Sequence, residues 1–126
     1  MTEQTITERL KKLLDNLSTC IESIRGIVIS TSDGLEIASK INDDRIDVPL
    51  MHAITASLMG LSNRAVHSLG LPAFDKTIIF TREGIVVVFN LHNKIAFSAV
   101  LEPDANVGLA VIEMQNMLKE IEDILG

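Results

Sequence analysis

A chain of 126 residues is long enough for one domain with its own core and short for two, and 47% apolar residues with runs such as GIVVVF exclude a disordered tail. Its 11 basic against 17 acidic residues leave a net charge of −6, which phosphate backbones and anionic lipid repel, and no basic patch offsets it, since Lys11-Lys12 sits among acids and Arg82 precedes Glu83. Tyr and Trp are absent, which removes most stacking platforms for single strands, so nucleic acid is not an expected partner.

In chain order, Ile6, Leu10, Leu13, Leu14, Leu17 and Ile21 fall at helical spacing with charged residues between them, which predicts an amphipathic helix ending before Gly26. The opening MTEQTITERLKK is polar and does not read as a signal peptide. Cys20, the single cysteine, adjoins the stripe and is expected as a core thiol in a reducing compartment. Gly26 to Ile29 and Leu35 to Ser39 read as two strands joined by the turn Thr31-Ser32-Asp33-Gly34, where Gly34 is free to take a positive φ. Asn42 to Arg45 is a polar connection, and Asp43-Asp44 is read as a solvated pair rather than a metal site.

VPLMHAITASLMGLSNRAVHSLGLP, from Val48 to Pro72, reads as a helix with Pro49 in its first turn and Gly70 and Pro72 closing it. Arg64 is its single charged residue. A helix on the surface of a monomer normally turns a charged face to water, so something other than water is expected to cover this one. A membrane crossing is not expected, because His52, Thr55, Ser57, Ser62, Asn63, Arg64, His67 and Ser68 are too polar for a hydrocarbon span.

Three further strands follow: Phe74 to Thr81, Ile85 to Phe89, and Lys94 to Leu101. Their turns, Arg82-Glu83-Gly84 and Leu91-His92-Asn93, are short enough for an antiparallel meander, with Ile85-Val86-Val87-Val88-Phe89 central and covered on both faces. The last helix starts near Asp104, its expected N-cap, and carries the stripe Val107, Val111, Met114, Leu118, Ile121 and Leu125. The expectation is one α+β domain over 1–126, an α-β-β-α-β-β-β-α sandwich with a five-stranded antiparallel sheet between the central helix and the two terminal ones.

At about 100° per residue, Leu50, Ala53, Ile54, Ser57, Leu58, Leu61 and Ala65 cluster on one face of the central helix, and Met51, Thr55, Met59, Ser62 and Val66 on an adjoining one. The first face is assigned to the chain's own sheet. The second is assigned to the same helix of another copy, since isologous dimers are the commonest assembly. A helix wholly buried within one chain is the alternative.

Catalytic and metal signatures are missing. His52, His67 and His92 lack metal spacing, and no G-x-S-x-G, phosphate-cradling glycine loop or H-E-x-x-H occurs. His52 and His67 read as solvated or capping imidazoles. Neither cofactor, metal nor catalytic residues are assigned, and the chain is not expected to be an enzyme.

GIVISTSDGLEIAS early and LEPDANVGLAVIEM late, in this order of elements, resemble the Roadblock family of the dynein light chain type. The family's first hairpin turns at Asp-Gly, as at Asp33-Gly34. Its last helix starts at Asn-x-Gly, as at Asn106-Val107-Gly108. The likeness runs from about Leu10 to Ile124 and is nearer to prokaryotic stand-alone members than to motor subunits. It implies a homodimer in which central helices lie together and third strands pair, joining two sheets into one.

The dimer interface is then assigned to Met51, Thr55, Met59, Ser62 and Val66 with Lys76, Thr77 and Ile78 of the third strand. The resemblance also implies a small Ras-like GTPase as partner. The strip left over, His52, Ala56, Gly60, Asn63, Arg64 and His67, is assigned to partner binding, with Arg64 read as a surface or inter-subunit residue rather than an arginine finger. The expected function is a cytoplasmic, homodimeric, non-catalytic regulator or scaffold acting on the nucleotide state or location of that GTPase. The alternatives are a pure assembly module tethering proteins without GTPase contact, or a small-ligand sensor.

Overall fold

Thr5 opens the first helix, its hydroxyl accepting from the Glu8 amide at 3.1 Å, and Glu8 places negative charge in the first turn where the helix dipole favours it. The computed structural model describes residues 5–126, beginning at this cap. Helix α1 is Ile6–Cys20, followed by β1 (Ile24–Thr31), β2 (Glu36–Ile41), α2 (Val48–Ser68), β3 (Lys76–Phe80), β4 (Ile85–Leu91), β5 (Ile95–Leu101) and α3 (Val107–Leu125). The expected α-β-β-α-β-β-β-α order is the observed one. The five strands form a single antiparallel sheet in the order β2-β1-β5-β4-β3.

Strand alternation sorts the core into two layers. Ile27, Ile29, Val87, Phe89, Phe97 and Ala99 point to the side where Leu10, Leu14 and Leu17 of α1 and Ala110, Met114 and Ile121 of α3 are buried. Val88 and Ala96 point the other way and pack with Phe74 and with Met59 of α2. The sheet therefore lies between α2 and the α1–α3 pair. β4 is paired on both edges and covered on both faces, as its unbroken apolar run predicts.

Turn chemistry sets the connections. Gly34 closes the β1–β2 hairpin at φ 86°, and His92 and Asn93 both adopt left-handed conformations (φ 55° and 61°) in the β4–β5 hairpin. Gly70 at φ 73° ends α2. Its amide donates to the His67 carbonyl, and the Leu71 amide donates to that of Val66, so two of the helix's last carbonyls are satisfied.

Two local expectations are corrected. α3 is capped by Asn106, whose Oδ1 accepts from the Leu109 amide at 3.1 Å, and not by Asp104, which lies before the helix. Cys20 is exposed rather than a core thiol: the buried stripe of α1 runs through Leu10, Leu14, Leu17 and Ile21, and Cys20 lies about 80–100° away around the helix. Among the described residues, no helix is long and apolar enough to cross a membrane.

Candidate interaction surface around the central helix

α2 begins at Asp47, whose carboxylate accepts from the Leu50 amide at 3.1 Å. From that cap the helix presents its two apolar faces in the opposite sense to the one expected. Met51, Thr55 and Met59 are buried against the chain's own sheet, with Val66 and Leu58 partly buried beside Phe74, Val88 and Ala96. Ser62 faces the same way and bonds Thr77 of β3 at 2.7 Å. The Thr55 hydroxyl donates to the Met51 carbonyl at 2.7 Å, so its burial leaves no donor unpaired. Leu50, Ile54 and Leu61 stand outside, 54%, 48% and 56% exposed.

Met51, Thr55 and Met59 are therefore removed from the assigned dimer interface, since their own sheet already covers them. Thr55 and Ser62 can be buried there because each has a hydrogen-bond partner, and the unbranched Met59 adapts to the Val88 and Ala96 surface beneath it, whereas Leu50, Ile54 and Leu61 project from the flank. Beside that flank runs an apolar groove of about 200 Å³, lined by Ile46, Leu50, Met51, Ile54, Val86 and Val100.

Of the residues assigned to partner binding, His52 is corrected. It is 1% exposed and not solvated. Its Nε2 contacts a Glu36 carboxylate oxygen of β2 at 3.1 Å, and its Nδ1 contacts the Ser30 hydroxyl of β1. A carboxylate oxygen only accepts, so Nε2 carries a proton toward Glu36, and the Nδ1–Ser30 bond completes the chain. The Ser–His–Glu order is that of a hydrolase relay, but Ser30 is fully buried and its hydroxyl faces α2. The chain of bonds pins α2 to the β1–β2 hairpin instead. Ala53 and Ala56 lie under the hairpin tip, where a Cβ added at Gly34 would meet the Ala53 backbone at 3.4 Å.

The other strip residues do gather. Asn63, Arg64 and His67 line a groove of about 420 Å³ together with Val66, Leu71, Ala73 and Asn93. Asn63 is fixed there, donating to Asn93 Oδ1 at 3.0 Å, while Asn90 holds the same oxygen at 2.7 Å and the Phe74 carbonyl at 2.9 Å. Arg64 and His67 are exposed, and Ala56 and Gly60 are half-buried one turn or more before them. Neither asparagine bond to the β4–β5 turn was legible in the sequence, because each joins residues 30 positions apart or depends on the left-handed Asn93.

β3 is an edge strand, paired with β4 on one side. Lys76 is exposed, Thr77 and Ile78 are half-buried, and Ile79 and Phe80 are 37% and 67% exposed. Thr77 points to the α2 side through its bond to Ser62, and Ile78 points to the α1–α3 side, where it joins the core.

A separate charged cluster lies near the ends of β1 and β5. Arg25 donates to Glu102 at 2.7 Å, and this bond holds the Glu102 carboxyl below the usual carboxylate range. Arg45 forks onto both oxygens of Asp43 at 2.9 Å, and together with the Arg45 backbone amide lowers the Asp43 pKa to about 2. The carboxylate read as simply solvated is thus an internal anchor of the β2–α2 loop.

Residues 8–125 match the sequence model of a family described as mitogen-activated protein kinase kinase 1 interacting. The chain belongs to that family. No curated protein matches it significantly by sequence. Among solved structures it is similar to Myxococcus xanthus MglB at 14% identity, covering 99% of this chain and 92% of that one with a TM-score of 0.88. The gliding protein MglB of Thermus thermophilus gives 12% identity, coverage of 98% and 93%, and a TM-score of 0.86. A Roadblock/LC7 domain from Streptomyces avermitilis gives 17% identity, coverage of 91% and 96%, and a TM-score of 0.83. At such identities the likeness is one of fold: this family member has the Roadblock/LC7 fold, as its two hairpin and helix-start motifs imply.

Proposed function

We propose that this protein is a homodimeric, non-catalytic regulator or scaffold that binds a small Ras-like GTPase and modulates its nucleotide state or location in the cytoplasm. The observation that carries the dimer is the flank of α2. Leu50, Ile54 and Leu61 form an exposed stripe at helical spacing, and it looks over the groove toward Val86, next to the free edge of β3. Exposed apolar patches of this kind, rimmed by polar residues, mark interaction sites. In the dimer, Leu50, Ile54 and Leu61 meet their counterparts, and Lys76, Thr77 and Ile78 of β3 join the two sheets.

The partner docks at Asn63 and His67 on the other flank, and at Arg64 on the outward face of the helix between that flank and the dimer stripe. That groove is open, and Asn63 is prepositioned there by Asn93, which Asn90 also holds. The GTPase assignment draws its support from the Roadblock resemblance. The test is binding to a small GTPase loaded with GDP or with a GTP analogue. Unequal affinities that fall together in Arg64→Ala and His67→Ala, at unchanged dimer mass, support the reading. Equal affinity for both states removes the nucleotide-state part, and no affinity for either removes the GTPase.

A second reading has its own support in the family's description, which is of a protein interacting with a kinase kinase. On that reading the same groove holds a protein partner without GTPase contact. A partner captured equally well in the absence of nucleotide, and competing with nothing GTP-bound, selects it.

A further inference from the structure

Gly60 stands in the interior of α2, where glycine is a poorer helix former than alanine. Nothing else among the described residues calls for it. Its φ is not positive, and beyond its own helix backbone a single atom lies within 4 Å of where a Cβ would stand. That atom is Nη1 of Arg64, at 3.3 Å. A helical side chain leans toward the helix N-terminus, so the Arg64 guanidinium folds back one turn and rests over Gly60. A β-carbon there would push it away.

At about 100° per residue, Gly60 lies about 40° from Arg64 and about 20° from His67, on the groove side of the helix. The guanidinium is therefore drawn from the outward face toward the groove of about 420 Å³. Arg64 and His67 stand in that lining with no carboxylate beside them, although the chain as a whole carries a net charge of −6. The groove at Arg25, Arg45 and Arg82, in contrast, includes Asp43, Glu83 and Glu102. No ion pair among the described residues engages Arg64. Asn63 is already committed at both ends, donating to Asn93 and accepting from the Phe74 amide. An arriving anion is thus left to Arg64 and His67. Val66, Leu71 and Ala73 supply the apolar part of the lining, with Leu71 55% exposed.

We propose that Arg64, lying over Gly60, binds an Asp or Glu side chain on an extended segment of the docking partner. A neighbouring apolar side chain of that segment rests on Val66, Leu71 and Ala73. This rests on the docking reading above and specifies the chemistry of what docks. The guanidinium offers its fork to the carboxylate, a pairing shorter and stronger than a neutral hydrogen bond. His67, three residues on, adds a ring N–H donor. The missing Cβ at Gly60 lets the segment's backbone come close to the helix. The stripe of Leu50, Ile54 and Leu61 lies about 80° or more around the helix from Gly60, so a second copy packed there leaves this seat open.

The natural chain and Gly60→Ala are titrated with the capped peptide acetyl-Leu-Asp-Asp-Leu-amide, followed by proton–nitrogen NMR, and both are unfolded in urea. Saturable shifts are expected at Asn63, Arg64 and His67. The capped peptide acetyl-Leu-Asn-Asn-Leu-amide is expected to bind about tenfold more weakly. Gly60→Ala is expected to raise the urea midpoint and yet bind the Asp peptide several-fold more weakly, a pair of results that ordinary destabilisation does not give. Arg64→Gln is expected to reduce the Asp peptide to the level of the Asn peptide at an unchanged urea midpoint.

Equal affinity for the two peptides overturns the carboxylate. Undiminished affinity in Gly60→Ala overturns the role of Gly60, and the absence of any saturable shift overturns the site. A Gly60→Ala chain that loses dimer mass while binding the peptide normally assigns the seat to a second copy and overturns the proposal too. A natural chain that binds the Asp peptide but no GTPase removes only the GTPase reading, so the two failures are told apart.

Discussion

Ile54→Ala measures the exposed stripe of α2 directly. Ile54 is 48% exposed in the single chain. Full burial of such a side chain is worth about 1.5–3 kcal/mol, so covering the exposed half contributes about 0.7–1.5 kcal/mol per copy. Two-fold symmetry applies the loss twice, and the dimer is expected to weaken by about 1.5–3 kcal/mol, roughly 10- to 150-fold in Kd. The fold itself loses little, because alanine is the better helix former and half of the isoleucine was already in water. Met59→Ala is the control with the opposite signature. At 3% exposure it empties core volume and is expected to lower folding stability by about 2–5 kcal/mol. Sedimentation equilibrium over a dilution series reads the first quantity and urea unfolding reads the second. An Ile54→Ala chain with the same mass–concentration curve as the natural one refutes the stripe as an interface.

His52→Ala is expected to cost about 2–4 kcal/mol in urea unfolding, through the cavity it leaves and the Ser30 hydroxyl it orphans; a loss under about 0.5 kcal/mol, the range of ordinary surface substitutions, contradicts its role as a pin. Gly70→Ala meets no atom within 4 Å, so backbone strain at φ 73° is its main cost, expected at about 1 kcal/mol, and Gly70→Asn should cost less. The Asp43 pKa is lowered from 3.8 to about 2, so its pair with Arg45 stabilises the fold fully above about pH 4 and ceases to do so as pH falls through about 2. The stability advantage of the natural chain over Asp43→Asn should shrink across that window, and also on adding salt, since Arg45 is 83% exposed. An advantage independent of pH between 2 and 5 contradicts the assignment.

The element order, the antiparallel meander and the doubly covered β4 were legible because each rests on local signals: a turn glycine, a five-residue apolar run, a heptad-like stripe. The unusual character of α2 was equally legible from its single charge. Which of its two apolar faces met the chain's own sheet was not. Periodicity reports that a face is apolar, and an inter-subunit face is as apolar as a core, so the pattern alone is symmetric between the two assignments. Contacts remote in sequence break the symmetry. Ser62 bonds Thr77 and Met59 packs on Phe74, Val88 and Ala96, which leaves Leu50, Ile54 and Leu61 on the flank.

The hydroxyls are the residues that mislead. Read alone, Thr55 and Ser62 count as polar, yet each is satisfied at once, Thr55 by the Met51 carbonyl four residues back and Ser62 by Thr77 on the sheet. His52 misleads for the same reason, since its two partners lie 22 and 16 positions upstream on separate strands. A polar residue on a charge-poor helix is thus evidence for a buried, paired contact as much as for a wet face. Arg64 and His67, for which no hydrogen bond or ion pair is found among the described residues, instead stay exposed in the open groove.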